Sequence, residues 1–397
     1  MRILFYLLFI ISIPFDETFF IKFGSLTVSV TDISILVLFM VMITSSIISR
    51  YRESIVKQMK VYFILLMLFA STLIISFFLN IETTSVRIIL SLLEGFVIVV
   101  LSILSIRNDK DIKRVELAII SISIIACIFA ILAAFGYYEW PTVSKLNNSG
   151  REIGEFLLPW MRRAGMYNNY SAFGSIAIVG LAISQVKLYS NSSKIFMRFL
   201  YFLISFIIFV GLMMTQSRSI FISCIVVICI PLITFFGKKA IIISVVALIA
   251  LILLYHKEVY MLFFEISTIT SGGRIEQYLN SGGLTAESPF FGSGAGYYTS
   301  QYHNSIHNIF LNILVSFGIF ALLFFALLLM YPIYLRRTLF KSEIKNITNG
   351  LDWILVALIG QFVIFLFSSS ISLINLWLMQ GIFIALLNNN LNKKNYE

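Results

Sequence analysis

Apolar residues run through this chain in long blocks, with the polar residues gathered in the gaps between them. A bilayer span needs roughly 20 predominantly apolar residues with few charges. About twelve blocks approach that length: 3–15, 30–49, 61–79, 86–106, 116–137, 170–186, 197–214, 219–236, 240–255, 306–331, 352–368 and 371–388. The first is short, so its span is expected to extend toward Phe20. The pattern predicts an all-α integral membrane protein of about 12 transmembrane helices, forming one polytopic domain over 1–397.

Composition agrees. The chain is 59% hydrophobic and 12% charged, against about 25% charged residues in a soluble protein. Cys127, Cys224 and Cys229 all lie inside apolar blocks and read as small buried hydrophobes. The N-terminal "MRILFYLLFIISIPFDE" begins as a signal peptide would, but no small-residue cleavage site precedes Asp16, so it reads as a retained helix.

The net charge of +10 changes the picture once it is divided between the two sides. Lys and Arg near spans favour the cytoplasm. Threading twelve spans from an inside N-terminus puts 20 of the 29 basic residues in inside segments. The inside then nets +13 and the outside −2, with Glu94 left within a span. The basic excess is a topology signal and not a nucleic-acid footprint. Both termini are expected in the cytoplasm.

Two gaps are long, and both fall outside: 138–169 and 256–305. Between residues 272 and 296 the second holds seven of the 21 glycines, a density that argues against one continuous helix and suits backbone turning near a ligand. The asparagine-rich end "NNNLNKKNYE" is expected to fray.

The candidate chemistry sits at the outer edge. "HNSIHNIFLNILVSFGIF" (303–320) opens an apolar block with His303 and His307 four residues apart, on one face if the segment is helical. Asn304, Asn308 and Asn312 form a neighbouring stripe, which should face the protein interior or a wet cavity. A neutral histidine there can take a proton from a hydroxyl; it can equally serve only to hydrogen-bond adjoining loops. No acidic or cysteine partner has the spacing for a metal, and no cofactor is expected. Arg163, Arg218 and Arg274 run against the poverty of positive charge in the outer segments. Their forks suit phosphate oxygens; snorkelling, or pairing with Glu276 or Glu287, is the plainer use. Glu94, beside Gly95, is either functional or a paired structural group; Gly95 allows a close helix approach. Asp109 and Asp111, in a short inside loop, read as ordinary charge, and no Walker loop or Gly-x-Ser-x-Gly elbow is present.

Taken in order, the motifs resemble those of bacterial O-antigen polymerases and O-antigen ligases. Ser217-Arg218 opens a span, Gly273-Arg274 lies in the large outer gap, and "SPFFGSGAG" (288–296) follows. His307-Asn308 then precedes a helix, with Gly318 ten residues after the Asn. These fall within 211–331, including the outer segment 256–305. Arg163 and Gly174 have the spacing described for polymerase outer loops; the second such spacing is absent, because residue 285 is Thr. Ala321 stands where the ligase pattern often has Gly, Thr or Val.

The resemblance implies a GT-C-like membrane-embedded glycosyltransferase of the bacterial inner membrane, with its active site facing the periplasm. Its donor and acceptor would be undecaprenyl-pyrophosphate-linked oligosaccharides, with membrane lipid and a chain-length regulator as candidate partners. It assigns His307 as base, Arg163, Arg218 and Arg274 to the pyrophosphate, and His303, Asn308, Gly292, Gly294 and Gly318 to support. The expected activity is O-antigen polymerase, joining repeat units by metal-independent inverting transfer. The alternatives are a ligase that moves polymer to lipid A–core, or a lipid-linked oligosaccharide flippase. The chain shows no internal repeat and concentrates polar groups at the outer face, which speaks against a transporter.

Overall fold

The structure is a computed structural model. It describes residues 2–15, 20–23, 26–49, 57–81, 86–135, 137, 170–190, 194–215, 217–237, 266–302, 306–339, 351–367 and 374–396. Among these are thirteen α-helices: α1 (Arg2–Ser12), α2 (Val30–Ser49), α3 (Lys57–Leu79), α4 (Val86–Ser105), α5 (Asp109–Ala134), α6 (Tyr170–Tyr189), α7 (Ile195–Met213), α8 (Arg218–Phe236), α9 (Ile266–Glu287), α10 (Tyr297–Tyr302), α11 (Ile309–Leu339), α12 (Leu351–Phe365) and α13 (Ile374–Tyr396). Six are long and apolar enough to cross a membrane: α3, α5, α6, α7, α8 and α11. Described parts of α1, α2, α4 and α12 are shorter apolar helices. The expected span 240–255 and outer segment 138–169 lie outside the described residues.

The expectation of an all-helical chain needs one correction. After α1 and a 3-10 turn (Ile13–Phe15), the antiparallel strands β1 (Phe20–Phe23) and β2 (Leu26–Ser29) pair Phe20 with Ser29 and Phe23 with Leu26. The first helix therefore ends at Ser12 and does not extend toward Phe20. Two β-prone quartets two residues apart form a hairpin more readily than a helix carried across Gly24. Ser29 then caps α2: its Oγ accepts from the Asp32 amide at 3.1 Å, and Asp32 Oδ2 accepts from the Ser29 amide at 2.7 Å, a reciprocal capping box.

Two helices form the interior. The apolar stretch of α6 is 78% buried and that of α7 22%, so α6 lies inside while α7 turns Phe196, Phe199, Phe202 and Phe206 outward. On α13 every residue from Asn375 to Asn388 is buried. Trp377, on α13, packs edge-on against Phe96 and near Phe69 and Phe325, over Gly95 of α4. The close approach expected at Gly95 is present. The polar end expected to fray stays helical to Tyr396; Asn389 Nδ2 donates to the Ile106 carbonyl at 3.0 Å. Large apolar side chains such as Met67, Phe78 and Ile195 are more than two-thirds exposed, a surface suited to lipid and not to water.

The two ends of the bundle differ in chemistry. At one, Glu116 of α5 accepts from the Trp353 indole at 2.7 Å and pairs with Lys187 at 2.9 Å. This pair joins the start of α5, the end of α6 and the start of α12. Asn108 caps α5 by accepting from the Asp111 amide, so Asp109 and Asp111 are first-turn acids at a helix N-terminus. Tyr6 near the start of α1 bonds Ser102 near the end of α4, so α1 begins where α13 ends. At the other end neutral groups meet. Asn375 donates to the Ala172 carbonyl and to Ser175 Oγ, and Gln361 donates to the Ser175 carbonyl. Glu94 is half-buried on α4 beside Gly95.

Candidate active site

The polar end marked by Asn375 and Gln361 collects the starts of α6, α8, α11 and α13 and the ends of α3 and α12. Ile220 and Ile364 border Gly174, and Phe362 packs on Phe310 with ring centroids 5.4 Å apart. Arg218 precedes Ile220 by two residues, and His307 precedes Phe310 by three. Through these contacts, Arg218 and His307 arrive at the same end of the same helix group.

His307 is exposed in a bend immediately before the helix, not on it. The cause is Asn308, whose Oδ1 accepts from the Phe310 and Leu311 amides, each at 3.0 Å. Asparagine offers a strong N-cap and so fixes where α11 begins. His307 is therefore not on α11, which begins at Ile309. His303 itself lies outside the described residues. The polar stripe survives in part: Asn312 Oδ1 accepts from Ser316 Oγ at 3.1 Å.

Helix α11 is two helices. Gly318 has φ 80 and ψ −176, which breaks the rod into 309–317 and 319–339. At about 1.5 Å rise per residue, the second part alone reaches roughly 31 Å, enough for a bilayer. The first adds about 13 Å beyond it. The continuous span expected over 306–331 is replaced by this jointed arrangement. The turn 288–296 fills the break. Ser293 N donates to the Val315 carbonyl at 2.8 Å and Gly294 N to the Ser316 carbonyl at 3.1 Å. Ile319 N returns a bond to the Pro289 carbonyl at 2.9 Å. The carbonyls and amide freed by the broken helix are thus satisfied by the turn. Gly292 (φ 72) lies against the Ser316–Phe317 backbone, and Gly318 against the Phe290 carbonyl, leaving neither room for a Cβ.

The outer segment also corrects the glycine argument. Residues 266–287 form one helix despite Gly272, Gly273, Gly282 and Gly283. Only the last three of the seven glycines serve a turn, each with positive φ. Leu284, Tyr298, Ile306 and Val315 make a small separate core that joins α9, α10 and the first part of α11. Tyr298 is 4% exposed and packs on Tyr302 at 4.8 Å. Burial pushes its phenol above the ordinary value, and the neighbouring Tyr302 phenol acts the same way. It is therefore a core residue here.

The arginines are only partly gathered. Arg218 is half-buried at the first position of α8, behind Ser217, whose Oγ bonds Ser219 Oγ at 3.0 Å. Arg274 lies within α9, with its side chain outside the described residues, as is all of Arg163. A groove of about 470 Å³ lined by Phe39, Met42, Phe63, Met67, Phe96 and Leu104 lies toward the opposite, Glu116 end. Its lining is apolar and has nothing to hold a sugar.

Sequence reasoning missed the α3 contribution. Ser76 Oγ donates to the Ser316 carbonyl at 3.1 Å, and Asn80 Nδ2 donates to the Gly292 carbonyl at 3.2 Å. No local signal marks two polar residues whose partners lie more than 200 positions away.

Residues 203–326 match a family model described as O-antigen ligase. The matched range takes in Arg218, Arg274, the turn, His307 and Gly318. The match supports the resemblance to O-antigen polymerases and ligases drawn from the motifs. A comparison with curated proteins finds no match.

Proposed function

We propose that this protein is an O-antigen polymerase, a membrane glycosyltransferase of the bacterial inner membrane that joins undecaprenyl-pyrophosphate-linked repeat units. The observation that carries this is the exposed His307, held just ahead of a capped helix start, at the end of the bundle where Arg218 begins another helix. Two helix N-termini are positive dipole ends, and with an arginine fork they favour a pyrophosphate nearby. The polar end then faces the periplasm, and the Glu116–Lys187 end, with the basic loops beside it, faces the cytoplasm.

In the proposed reaction, the acceptor sugar hydroxyl attacks the anomeric carbon of the donor. The new carbon–oxygen bond forms as the bond to pyrophosphate breaks, and the carrier pyrophosphate leaves with the electron pair. His307 takes the hydroxyl proton. Arg218, with Arg163 and Arg274 from the outer segments, stabilises the leaving charge. In-line displacement inverts the anomeric centre. The mildly divergent Ala321 favours polymerase over ligase.

The test is deletion of the gene in its host, complementation with wild type or His307→Ala, and a gel of surface lipopolysaccharide. A polymerase predicts core bearing a single repeat unit after deletion, and the same with His307→Ala expressed at normal level. Bare core with lipid-linked polymer accumulating would make it a ligase, and cytoplasmic-side accumulation of single lipid-linked units a transporter. Arg218→Lys keeps the charge but loses the bidentate fork. It should lower turnover by about 10-fold or more, in line with loss of one charge-stabilising contact. Undiminished turnover and donor affinity would remove Arg218 from the pyrophosphate site.

A further inference from the structure

We infer that Ser76 and Asn80, at the outer end of α3, are positioning residues for the reaction: they hold the glycine turn in the break of α11 and through it set the place of His307. The inference rests on the catalytic reading of His307 given above. Both residues lie outside the segment that matches the O-antigen ligase model, yet both bond to that segment.

The connection can be followed bond by bond. Asn80 Nδ2 donates both to the Ser76 carbonyl of its own helix end, at 3.0 Å, and to the Gly292 carbonyl of the turn. Ser76 is fully buried, and its Oγ donates to the Ser316 carbonyl, which also receives the Gly294 amide. Ser316 Oγ donates to Asn312 Oδ1, and the Asn312 amide donates to the Asn308 carbonyl at 2.9 Å. Asn308 is the cap that ends the bend holding His307. The backbone of the 309–317 helix passes into the long membrane helix at Gly318, a residue without side-chain restraint, and Phe310 packs on Phe325 across the break with ring centroids 5.8 Å apart. A short helix on such a joint has its direction fixed by whatever grips its free end and the break. Here α3 grips both partners of the break: the Ser316 carbonyl on the helix and the Gly292 carbonyl on the turn.

The experiment uses the full-length protein in proteoliposomes. The substrate is the lipid-linked glycan extracted from a host strain deleted for the gene. Ser76→Ala with Asn80→Ala should lower kcat about 10- to 100-fold, the loss expected when a catalytic group shifts by about an ångström, while KM stays within about 2-fold. Amide hydrogen exchange should rise in 288–296 and 309–317 and stay unchanged in α5 and α6. Ser76→Thr, which keeps the hydroxyl, should return both readouts toward wild type. Should the double variant fail to fold, Asn80→Asp, which retains the shape but loses the donor, reads the same quantities. Faster local exchange with unchanged kcat overturns the inference, because the grip would then not serve the chemistry. A fall in kcat without faster local exchange overturns it too. If wild type transfers nothing from this donor, the functional reading falls instead, and unaltered exchange in the variants would remove the grip separately.

Discussion

Two neighbouring stretches of the outer segment hold four and three glycines and use them in opposite ways. In α9, Gly272, Gly273, Gly282 and Gly283 sit within a regular helix, and nothing lies within 4 Å of a Cβ built at Gly282 or Gly283. In the turn that follows, Gly292 has a left-handed backbone and is pressed against another backbone, and Gly318 across the break is its counterpart. Glycine density therefore does not predict shape. A glycine in a helix costs roughly 1 kcal/mol relative to alanine, which packing by residues such as Leu284 and Gln277 can offset. A glycine where φ is positive and a backbone blocks the Cβ cannot be replaced at any modest cost.

The strongest way to break this comparison is Gly318→Ala. The side chain would be forced into a conformation that L-residues avoid and onto the Phe290 carbonyl, which is backbone and cannot swing aside. Strain alone costs about 1–3 kcal/mol, and the lost seating of the turn adds to it. Expected are a melting temperature in detergent lowered by several degrees and loss of product. Gly292→Ala should behave alike, since its Cβ meets the Ser316–Phe317 backbone. A normal melting curve with full activity in either variant would mean that the turn is not seated in the break.

Next in size is Gly95→Ala, which sharpens the comparison by separating blocked space from strained backbone. Gly95 is helical with ordinary φ, but its Cβ would collide with the Trp377 indole. Overpacking of this kind costs typically about 1–3 kcal/mol. Trp377 can tilt, as a backbone carbonyl cannot, so the loss should fall below that for Gly318→Ala. Thermal melts of the two variants side by side check the order, and a Gly95→Ala loss equal to or above that of Gly318→Ala would reverse it.

The same contrast explains what the sequence made legible. Among the described residues, all eleven apolar blocks coincide with helices because a run of apolar residues in lipid has few alternatives to internal hydrogen bonding. His307 and Arg218 were also legible, as polar groups at the mouths of apolar blocks, and the structure brings both to one end. The break at Gly318 was not, because apolar residues continue on both sides of it and hydropathy carries no record of φ. Nor was the Glu116–Lys187–Trp353 cluster at the other end, whose members come from three separate stretches of the chain. The hairpin does leave a signal, in "FIKF" and "LTVS" around a two-residue gap containing glycine, but the nearby apolar block outweighs it in hydropathy alone.

The smallest expected effect has the opposite sign. Gly282→Ala with Gly283→Ala adds two methyl groups to exposed positions of α9 with open space around both. Alanine loses less backbone freedom on folding than glycine, so each change should stabilise the helix by about 0.4–1 kcal/mol. Helix α9 also anchors the small core of Leu284, Tyr298, Ile306 and Val315, so a firmer α9 should slow amide exchange at its C-terminal turns without moving His307. The double variant should melt slightly higher than wild type and retain its activity. If it loses activity instead, the outer helix must bend at this glycine pair during turnover, and these glycines would join Gly292 and Gly318 as residues the reaction requires.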